Sequence, residues 1–173
     1  MIRVLVSACL LGEKVRYNGA DAASGSRILS GWRAEDRIVP FCPEVAGGLG
    51  VPRPAAEIRG GDGNGVLDGT GRVVTRTGDD VTGAFLRGAE LAWREAAAHG
   101  ARLAVLKEGS PSCGSGFVYD GSFSVRRQAG RGVTAALLER NGIRVFSDLH
   151  MEEADEYLRS LERAEPGRSS PLS

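Results

Sequence analysis

Three cysteines are the residues of this sequence best suited to chemistry, and each follows a segment that resembles a buried β-strand. They are Cys9, Cys42 and Cys113. The preceding apolar runs span residues 2–6, 37–41 and 102–106. Ligands of open α/β sheets bind at the carboxyl ends of the strands. We therefore expect all three thiols at one edge of one sheet, where a shared role explains them better than three separate core positions.

From the residues alone, two kinds of site remain open. One cysteine could be a nucleophile with Glu44 or a histidine as base, but His99 and His150 lie in helix-end or linker contexts away from the three loops. Alternatively, the three thiolates hold one metal centre. Zinc would take Glu44 or Glu108 as its fourth ligand, whereas an iron–sulfur cube bound by three cysteines leaves one iron open.

The separations of the cysteines do not decide between these alternatives. Cys42 lies 33 positions after Cys9, and Cys113 lies 71 positions after Cys42, which is too wide for a zinc finger or ribbon. Their odd number also argues against an extracellular disulfide framework. Although Val6–Cys9 resembles a lipoprotein cleavage box, the apolar stretch before it is too short for a signal core. We expect a cytoplasmic protein with reduced cysteines and no membrane span.

The composition predicts one globular domain. The chain has 173 residues, of which 42% are hydrophobic and 25% charged, and 22 basic residues balance 22 acidic ones. That balance gives no support to general nucleic-acid binding. The length is sufficient for a substantial hydrophobic core.

Strand-like and helix-like segments alternate along the chain, which predicts an α/β protein. We expect a single-domain, Rossmann-like three-layer fold with a mostly parallel sheet and a small β-hairpin insertion. A fourth strand is predicted at 143–146, and helices are predicted at 22–33, 81–99, 133–140 and 151–163. The α/β domain would span 1–150, followed by a C-terminal helix at 151–165 and a disordered tail at 166–173.

The Gly- and Pro-rich segments predict irregular structure. Residues 42–54 are expected to form a loop without regular structure, and 60–65 a flexible surface turn. The inserted hairpin is expected to pair Val66-Leu67 with Val73–Thr75 around the turn 68–71. Residues 126–131 are expected to be polar and mobile.

Three motifs in order resemble the thiouracil desulfidase family over about residues 3–148. They are Ser7–Gly12 with Arg16–Gly19, Cys42–Val45 with Gly47–Leu49 and Pro52-Arg53, and Lys107–Gly114 with Tyr119–Gly121. The resemblance implies a [4Fe–4S] cluster held by Cys9, Cys42 and Cys113, with the fourth iron open to the sulfur of the substrate. The implied reaction is the non-redox conversion of thiouracil to uracil with release of hydrogen sulfide.

Further roles follow from the same resemblance. Glu44 is the candidate acid/base and Ser110 the assisting hydroxyl, with Ser112 as its substitute. Residues expected at the substrate are Arg16, Tyr17, Asn18, Arg53 and Ser112. The family usually has Asp where this chain has Asn18, so a charge-dependent role there is in question, whereas a turn role would survive.

We expect a small-molecule thiobase as the partner and a monomer or weak homo-oligomer. A rival reaction is the desulfuration of thiouridine within RNA, which the balanced net charge argues against. A rival of another class is a non-catalytic iron–sulfur sensor module.

Overall fold

Besides two short 3₁₀ helices, Ala8–Leu11 and Asp148–His150, eight strands and six α-helices make up the part of the protein that a computed structural model describes, residues 1–165. In chain order they are β1 (Val4–Ser7), α1 (Arg27–Ala34), β2 (Ile38–Phe41), α2 (Pro43–Ala46), β3 (Ala56–Arg59), α3 (Gly63–Asp68), β4 (Arg72–Thr75), α4 (Thr82–Ala98), β5 (Leu103–Leu106), β6 (Phe117–Tyr119), β7 (Arg127–Ala129), α5 (Val133–Arg140), β8 (Arg144–Ser147) and α6 (Met151–Ala164). The tail predicted at 166–173 lies outside the described residues.

The central sheet is parallel throughout, with strand order β2-β1-β5-β8. Its four strands are the four that the apolar runs predict. Pro40 lies within β2, and a sheet accepts it there because β2 is an edge strand. The order places the ends of β1, β2 and β5 side by side.

Both faces of the sheet are covered by helices, which confirms the predicted three-layer α/β architecture. Alternate side chains of a strand point to opposite faces. Val4 and Val6 therefore pack with Trp32 of α1 and Leu158 of α6, whereas Leu5 packs on the other face with residues of α4 and α5. This double burial explains why the strands are continuously apolar.

Helix α4 confirms the prediction of a helix with a small-residue face. Phe85, Ala89, Ala92 and Ala96 of that face are buried. A Cβ on Gly88 would lie 2.1 Å from the carbonyl oxygen of Pro43. The absence of a side chain at Gly88 therefore lets α2 lie directly against α4.

The predicted strand at Val66-Leu67 is wrong. Residues Gly63–Asp68 form α3, because the Asp62 carboxylate accepts hydrogen bonds from the Asn64 and Gly65 N–H groups and caps the helix. The inserted hairpin exists, but β4 pairs with β3. The surface turn predicted at 60–65 is therefore shorter than expected, because α3 begins at Gly63.

Two further segments are more regular than expected. The short helix α2 replaces part of the loop predicted at 42–54, with Pro43 at its first position, where a missing N–H costs nothing. Residues Arg127–Ala129 form β7, which pairs antiparallel with β6. No helix among the described residues is both long enough and apolar enough to cross a bilayer.

Candidate active site

The carboxyl ends of β1, β2 and β5 open into one cavity of about 550 Å³, and all three cysteines line it. Cys9 lies in the turn directly after β1, Cys42 caps the N-terminus of α2 after β2, and Cys113 lies in the loop that follows β5. The structure thus brings together three thiols that the sequence places after three separate strands. All three are free cysteines.

The environment of each thiol disfavours a bare thiolate. Burial raises the pKa of Cys9 to about 11 and that of Cys113 to about 12, and it also raises the pKa of Cys42. The charges of Arg16 and Lys107 act in the opposite direction on Cys9. Ionisation of all three thiols therefore needs a positive partner in the cavity, which bound metal would provide.

The thiol arrangement fits a cluster. Within residues 1–165, no three Cys, His, Asp or Glu side chains converge on one point as the ligands of a single metal ion do. A cube needs no such convergence, because each cysteine binds a different iron atom. Three free cysteines on one cavity are a donor set that fits an iron–sulfur cluster with one iron not bound by cysteine.

Glu44 enters the cavity from α2. Its Oε1 accepts a hydrogen bond from Arg53 Nε at 3.2 Å, and its side chain is largely buried, as is that of Arg53. A Cβ on Gly47, the residue that follows α2, would lie 2.2 Å from the Ala84 carbonyl oxygen, so the close contact between α2 and α4 needs glycine at both Gly47 and Gly88. This contact fixes the position from which Glu44 reaches the cavity.

Two serine hydroxyls meet the second oxygen of Glu44. Ser112 Oγ lies 3.2 Å and Ser110 Oγ 3.5 Å from Glu44 Oε2, and the two hydroxyls lie 3.1 Å apart. Ser110 Oγ also accepts hydrogen bonds from the N–H groups of Ser112 and Cys113. Ser110 lines the cavity, whereas Ser112 is buried behind that lining with 1% exposure.

The predicted substrate-binding residues divide into two groups. Arg16 and Tyr17 line the cavity, and so does Arg53. All three guanidinium nitrogens of Arg53 are engaged, because they donate to Glu44 and to the carbonyl oxygens of Gly50 and Val15. The backbone N–H of Arg53 donates to the carbonyl oxygen of Tyr17. It therefore fastens the segment that carries Arg16 and Tyr17.

Asn18 belongs to a turn. Its side chain is exposed, its Oδ1 accepts the Ala20 N–H at 3.0 Å, and it does not line the cavity. Asn and Asp both suit this turn role. Ser112 does not line the cavity itself and contacts Glu44, Ser110 and Cys113, which do.

Glu108 and Asp148 hold the loop after β5. Four backbone N–H groups donate to Glu108, from Gly109, Ser115, Gly116 and Phe117. Burial alone would raise the pKa of Glu108, but the N–H groups of Gly116, Ser115 and Gly109 and the Ser147 hydroxyl outweigh burial and lower it. Asp148 accepts the Glu108 N–H at 2.8 Å and lies 3.5 Å from Lys107 Nζ. The oxygens of Glu108 thus serve the loop backbone, away from the role of a fourth zinc ligand.

The rim of the cavity includes side chains that the sequence interpretation did not single out. They are aromatic or cationic, and comprise Phe117, Tyr119, Phe123, Arg76 and Arg127. Arg127 lies over the Phe117 ring at 4.2 Å. Glu57 holds the rim loop by accepting the N–H groups of Gly121 and Phe123. The Tyr119–Gly121 motif was the available sign that this region belongs to the site.

The cavity joins two kinds of chemistry. Three thiols offer soft donors to a metal, and a carboxylate with a cavity-facing hydroxyl can move a proton. A ligand of this cavity would meet both at once, with aromatic side chains at its rim.

Comparisons with known proteins agree on one family. A family model described as 2-thiouracil desulfurase matches residues 4–150. The uncharacterized protein YbbK of Bacillus subtilis (strain 168) is 46% identical over 152 residues, which are 87% of this chain and 98% of that protein. A solved structure of the [4Fe-4S]-dependent thiouracil desulfidase TudS is 50% identical, covers 92% of this chain and 99% of its own, and superposes with a TM-score of 0.84.

Proposed function

The chain belongs to the 2-thiouracil desulfurase family, and from that premise we propose that it is a [4Fe–4S]-dependent thiouracil desulfidase. The net reaction takes one thiobase and one water and gives the oxo base and hydrogen sulfide, without oxidation or reduction. The observation that supports it most is the single cavity that carries three free cysteines together with Glu44 and Ser110. The 50% identical TudS shares the fold over nearly the whole chain.

In this proposal Cys9, Cys42 and Cys113 hold the cluster. When bound, a cube with one iron free of protein ligands supplies a Lewis-acid position suited to soft thiocarbonyl sulfur. The thiols must lose their protons on cluster binding. Arg16 and Lys107 favour that loss at Cys9.

Glu44 and Ser110 handle the protons of the reaction. Glu44 Oε2 accepts a proton from the attacking water through Ser110 Oγ, and the same pair returns it to the leaving sulfur. The second proton of the water follows by the same path as the new C=O bond forms, so that the sulfur leaves as hydrogen sulfide. Two backbone N–H groups donate to Ser110 Oγ and so stabilise negative charge there, which makes its hydroxyl a better proton donor. Arg53 holds Oε1 of Glu44, which leaves Oε2 directed at the serines.

The rim binds the base. Phe117 and Tyr119 provide apolar surface at the cavity, with ring centroids 5.9 Å apart in an edge-to-face pair. A flat pyrimidine finds both aromatic contact and cationic neighbours there. A base bound against these rings would exclude bulk water from the thiols.

Sulfide release by protein reconstituted without oxygen tests the proposal. The wild-type protein, with iron and zinc counted, is incubated with 2-thiouracil and 4-thiouracil, and sulfide and uracil are measured. We expect both products in equal amounts from at least one thiobase. The Cys42→Ala variant, chosen because Cys42 is the least buried of the three cysteines, should lose brown absorbance and activity together.

A protein with a full cluster that releases no sulfide from any thiobase would contradict the enzyme assignment and favour a sensor. Retention of a full cluster and full turnover by Cys42→Ala would instead show that the ligand set is wrong.

A further inference from the structure

Ser7 is a buried polar residue to which the mechanism above gives no role. It ends β1, the strand at whose end Cys9 also lies, and it is 2% exposed. Its Oγ accepts the Lys107 N–H at 3.0 Å and lies 3.6 Å from Cys113 Sγ. One hydroxyl therefore connects the end of β1 both to the start of the loop after β5 and to the cysteine within that loop.

The number of hydrogen bonds that the Ser7 hydroxyl can donate and accept determines the direction of its contact with Cys113 Sγ. A serine hydroxyl has one hydrogen to donate, and the Lys107 N–H already supplies a donor to its oxygen. Among the described residues, the other recorded partner of Ser7 Oγ is Cys113 Sγ. A buried hydroxyl that donates to nothing is costly. Ser7 therefore donates its hydrogen to the sulfur.

Ser112 offers no such definite donation. Its hydroxyl also lies 3.5 Å from Cys113 Sγ, but Glu44 Oε2 at 3.2 Å and Ser110 Oγ at 3.1 Å compete for its single hydrogen. A carboxylate oxygen is the stronger acceptor. Ser7 is thus the hydroxyl committed to the sulfur.

The surroundings of the cysteines differ in a way that gives this donation weight. Cys9 has Arg16 and Lys107 nearby, so cations face its sulfur. At Cys113 the polar groups within hydrogen-bond distance of the sulfur are, among residues 1–165, the hydroxyls of Ser7 at 3.6 Å and Ser112 at 3.5 Å. Cys113 is also deeply buried, at 5% exposure, where a hydrogen bond to charged sulfur is strong.

We propose that Ser7 is a positioning residue for the cluster, whose hydroxyl fixes the Cys113 sulfur and offsets part of its negative charge. This inference rests on the proposed function, because it takes Cys113 as a cluster ligand. Outer hydrogen bonds orient metal ligands and strengthen their hold. Hydrogen bonds to cluster sulfurs also favour the reduced, more negative cluster and so raise its reduction potential.

The test compares Ser7→Ala with a matched control, Ser147→Ala. Ser147 is also buried and ends the parallel strand β8. Its hydroxyl accepts the Leu149 N–H and lies close enough to Glu108 to lower the pKa of that carboxyl, but it contacts no cysteine within residues 1–165. The two substitutions thus remove the same group from equivalent strand ends, but only Ser7 contacts a cysteine. Each variant is reconstituted without oxygen and examined for cluster content, midpoint potential, iron release to a chelator and thermal unfolding of the cluster-free form.

We expect Ser7→Ala to take up the cluster with a midpoint potential shifted to more negative values. It should lose iron to the chelator about tenfold faster than the wild type, a typical cost of removing an outer hydrogen bond to a ligand. Ser147→Ala should match the wild-type potential and rate. The cluster-free forms of both variants should unfold at similar temperatures.

A wild-type potential and rate in Ser7→Ala would overturn the inference alone. Equal changes in both variants would also overturn it, because they would report a general loosening of the strand ends. If the wild-type protein binds no cluster, the proposed function and this inference fall together. If it holds a cluster but releases no sulfide, the proposed function fails while the shift in Ser7→Ala still decides the inference.

Discussion

The Glu44 carboxylate accepts a hydrogen bond from the Ser112 hydroxyl at 3.2 Å, although 68 positions of sequence separate the two residues. Glu44 belongs to the connection after β2, and Ser112 to the loop after β5. Since these connections also carry Cys42 and Cys113, the bond joins two of the three thiol-bearing segments. Changes to Glu44 can therefore act on proton transfer and on the shape of the cavity.

Glu44→Gln should separate these two effects. The amide keeps the size of the side chain and one oxygen for Arg53, but it cannot accept a proton. We expect normal iron content and a sulfide-release rate at least about 100-fold below wild type, as for the loss of a general acid/base. Steady-state sulfide assays and iron analysis on the same sample check this. A variant that turns over at the wild-type rate would remove Glu44 from the mechanism.

Ser110→Ala and Ser112→Ala should differ in their effects on turnover. Each variant removes one hydroxyl from Glu44 Oε2, but only Ser110 lines the cavity. We expect the rate of sulfide release to fall about 100-fold in Ser110→Ala and distinctly less in Ser112→Ala. Both rates are referred to the amount of bound cluster. A larger loss in Ser112→Ala would reverse the roles of the two hydroxyls.

Gly88→Ala should disturb the site from outside the cavity. The new Cβ would meet the Pro43 carbonyl oxygen at 2.1 Å and push α2 away from α4. We expect the free energy of unfolding to fall by about 1–3 kcal/mol and turnover to fall with it, because Glu44 moves with α2. Chemical denaturation and sulfide assays measure the two effects.

Gly83→Ala is the matched control for Gly88→Ala. Gly83 lies on the same helix, and a Cβ there has no neighbour within 4 Å. Alanine at an open helical position stabilises by about 0.5–1 kcal/mol. Equal destabilisation of the two variants would show that packing against α2 is not the reason.

Glu108→Gln should make stability less dependent on pH. The lowered pKa of Glu108 means that its contribution is present above the unfolded value of about 4.3 and is lost as pH falls through the folded value. At pH 7 the variant should therefore unfold more easily than the wild type, by about 1–2 kcal/mol, because all four N–H groups point at one oxygen of Glu108 and a neutral amide oxygen is a weaker acceptor than a carboxylate. The difference should shrink toward pH of about 4 and below.

Thermal unfolding from pH 3 to pH 8 measures this dependence. Glu13→Gln serves as the control, since Glu13 is exposed and makes no side-chain hydrogen bond within residues 1–165. A difference between Glu108→Gln and wild type that stays constant over the whole range would rule out the titration of Glu108 as its cause.

The strands and the shared cavity could be predicted because their signals are local. Val4–Ser7 is apolar throughout, since helices cover both faces of the sheet, and Cys9 follows within two residues of its end. Helix α4 could also be predicted, from the helical spacing of its small residues. The family motifs then supplied what strand patterns alone did not, the kind of metal centre.

The misassigned segments carry weak or competing local signals. Gly63–Asp68 contains two glycines and two β-prone or apolar residues, and only the cap from Asp62 decides for a helix. Helix α2 is four residues long and depends on a contact with Gly88 that lies 45 positions after Pro43. The bond from Ser7 to Cys113 spans 106 positions. Contacts at such distances follow from the packed fold and have no pattern in neighbouring residues.

The wide spacing of Cys9, Cys42 and Cys113 has a consequence for the order of assembly. An unfolded chain would have to close segments of 33 and 71 residues to bring the thiols together, and the entropy lost in doing so opposes it. The parallel sheet closes both segments through its own packing of β1, β2 and β5. If these cysteines hold the cluster as proposed, we expect the polypeptide to fold first and to receive its inorganic centre afterwards, in a cavity that the sheet has already formed.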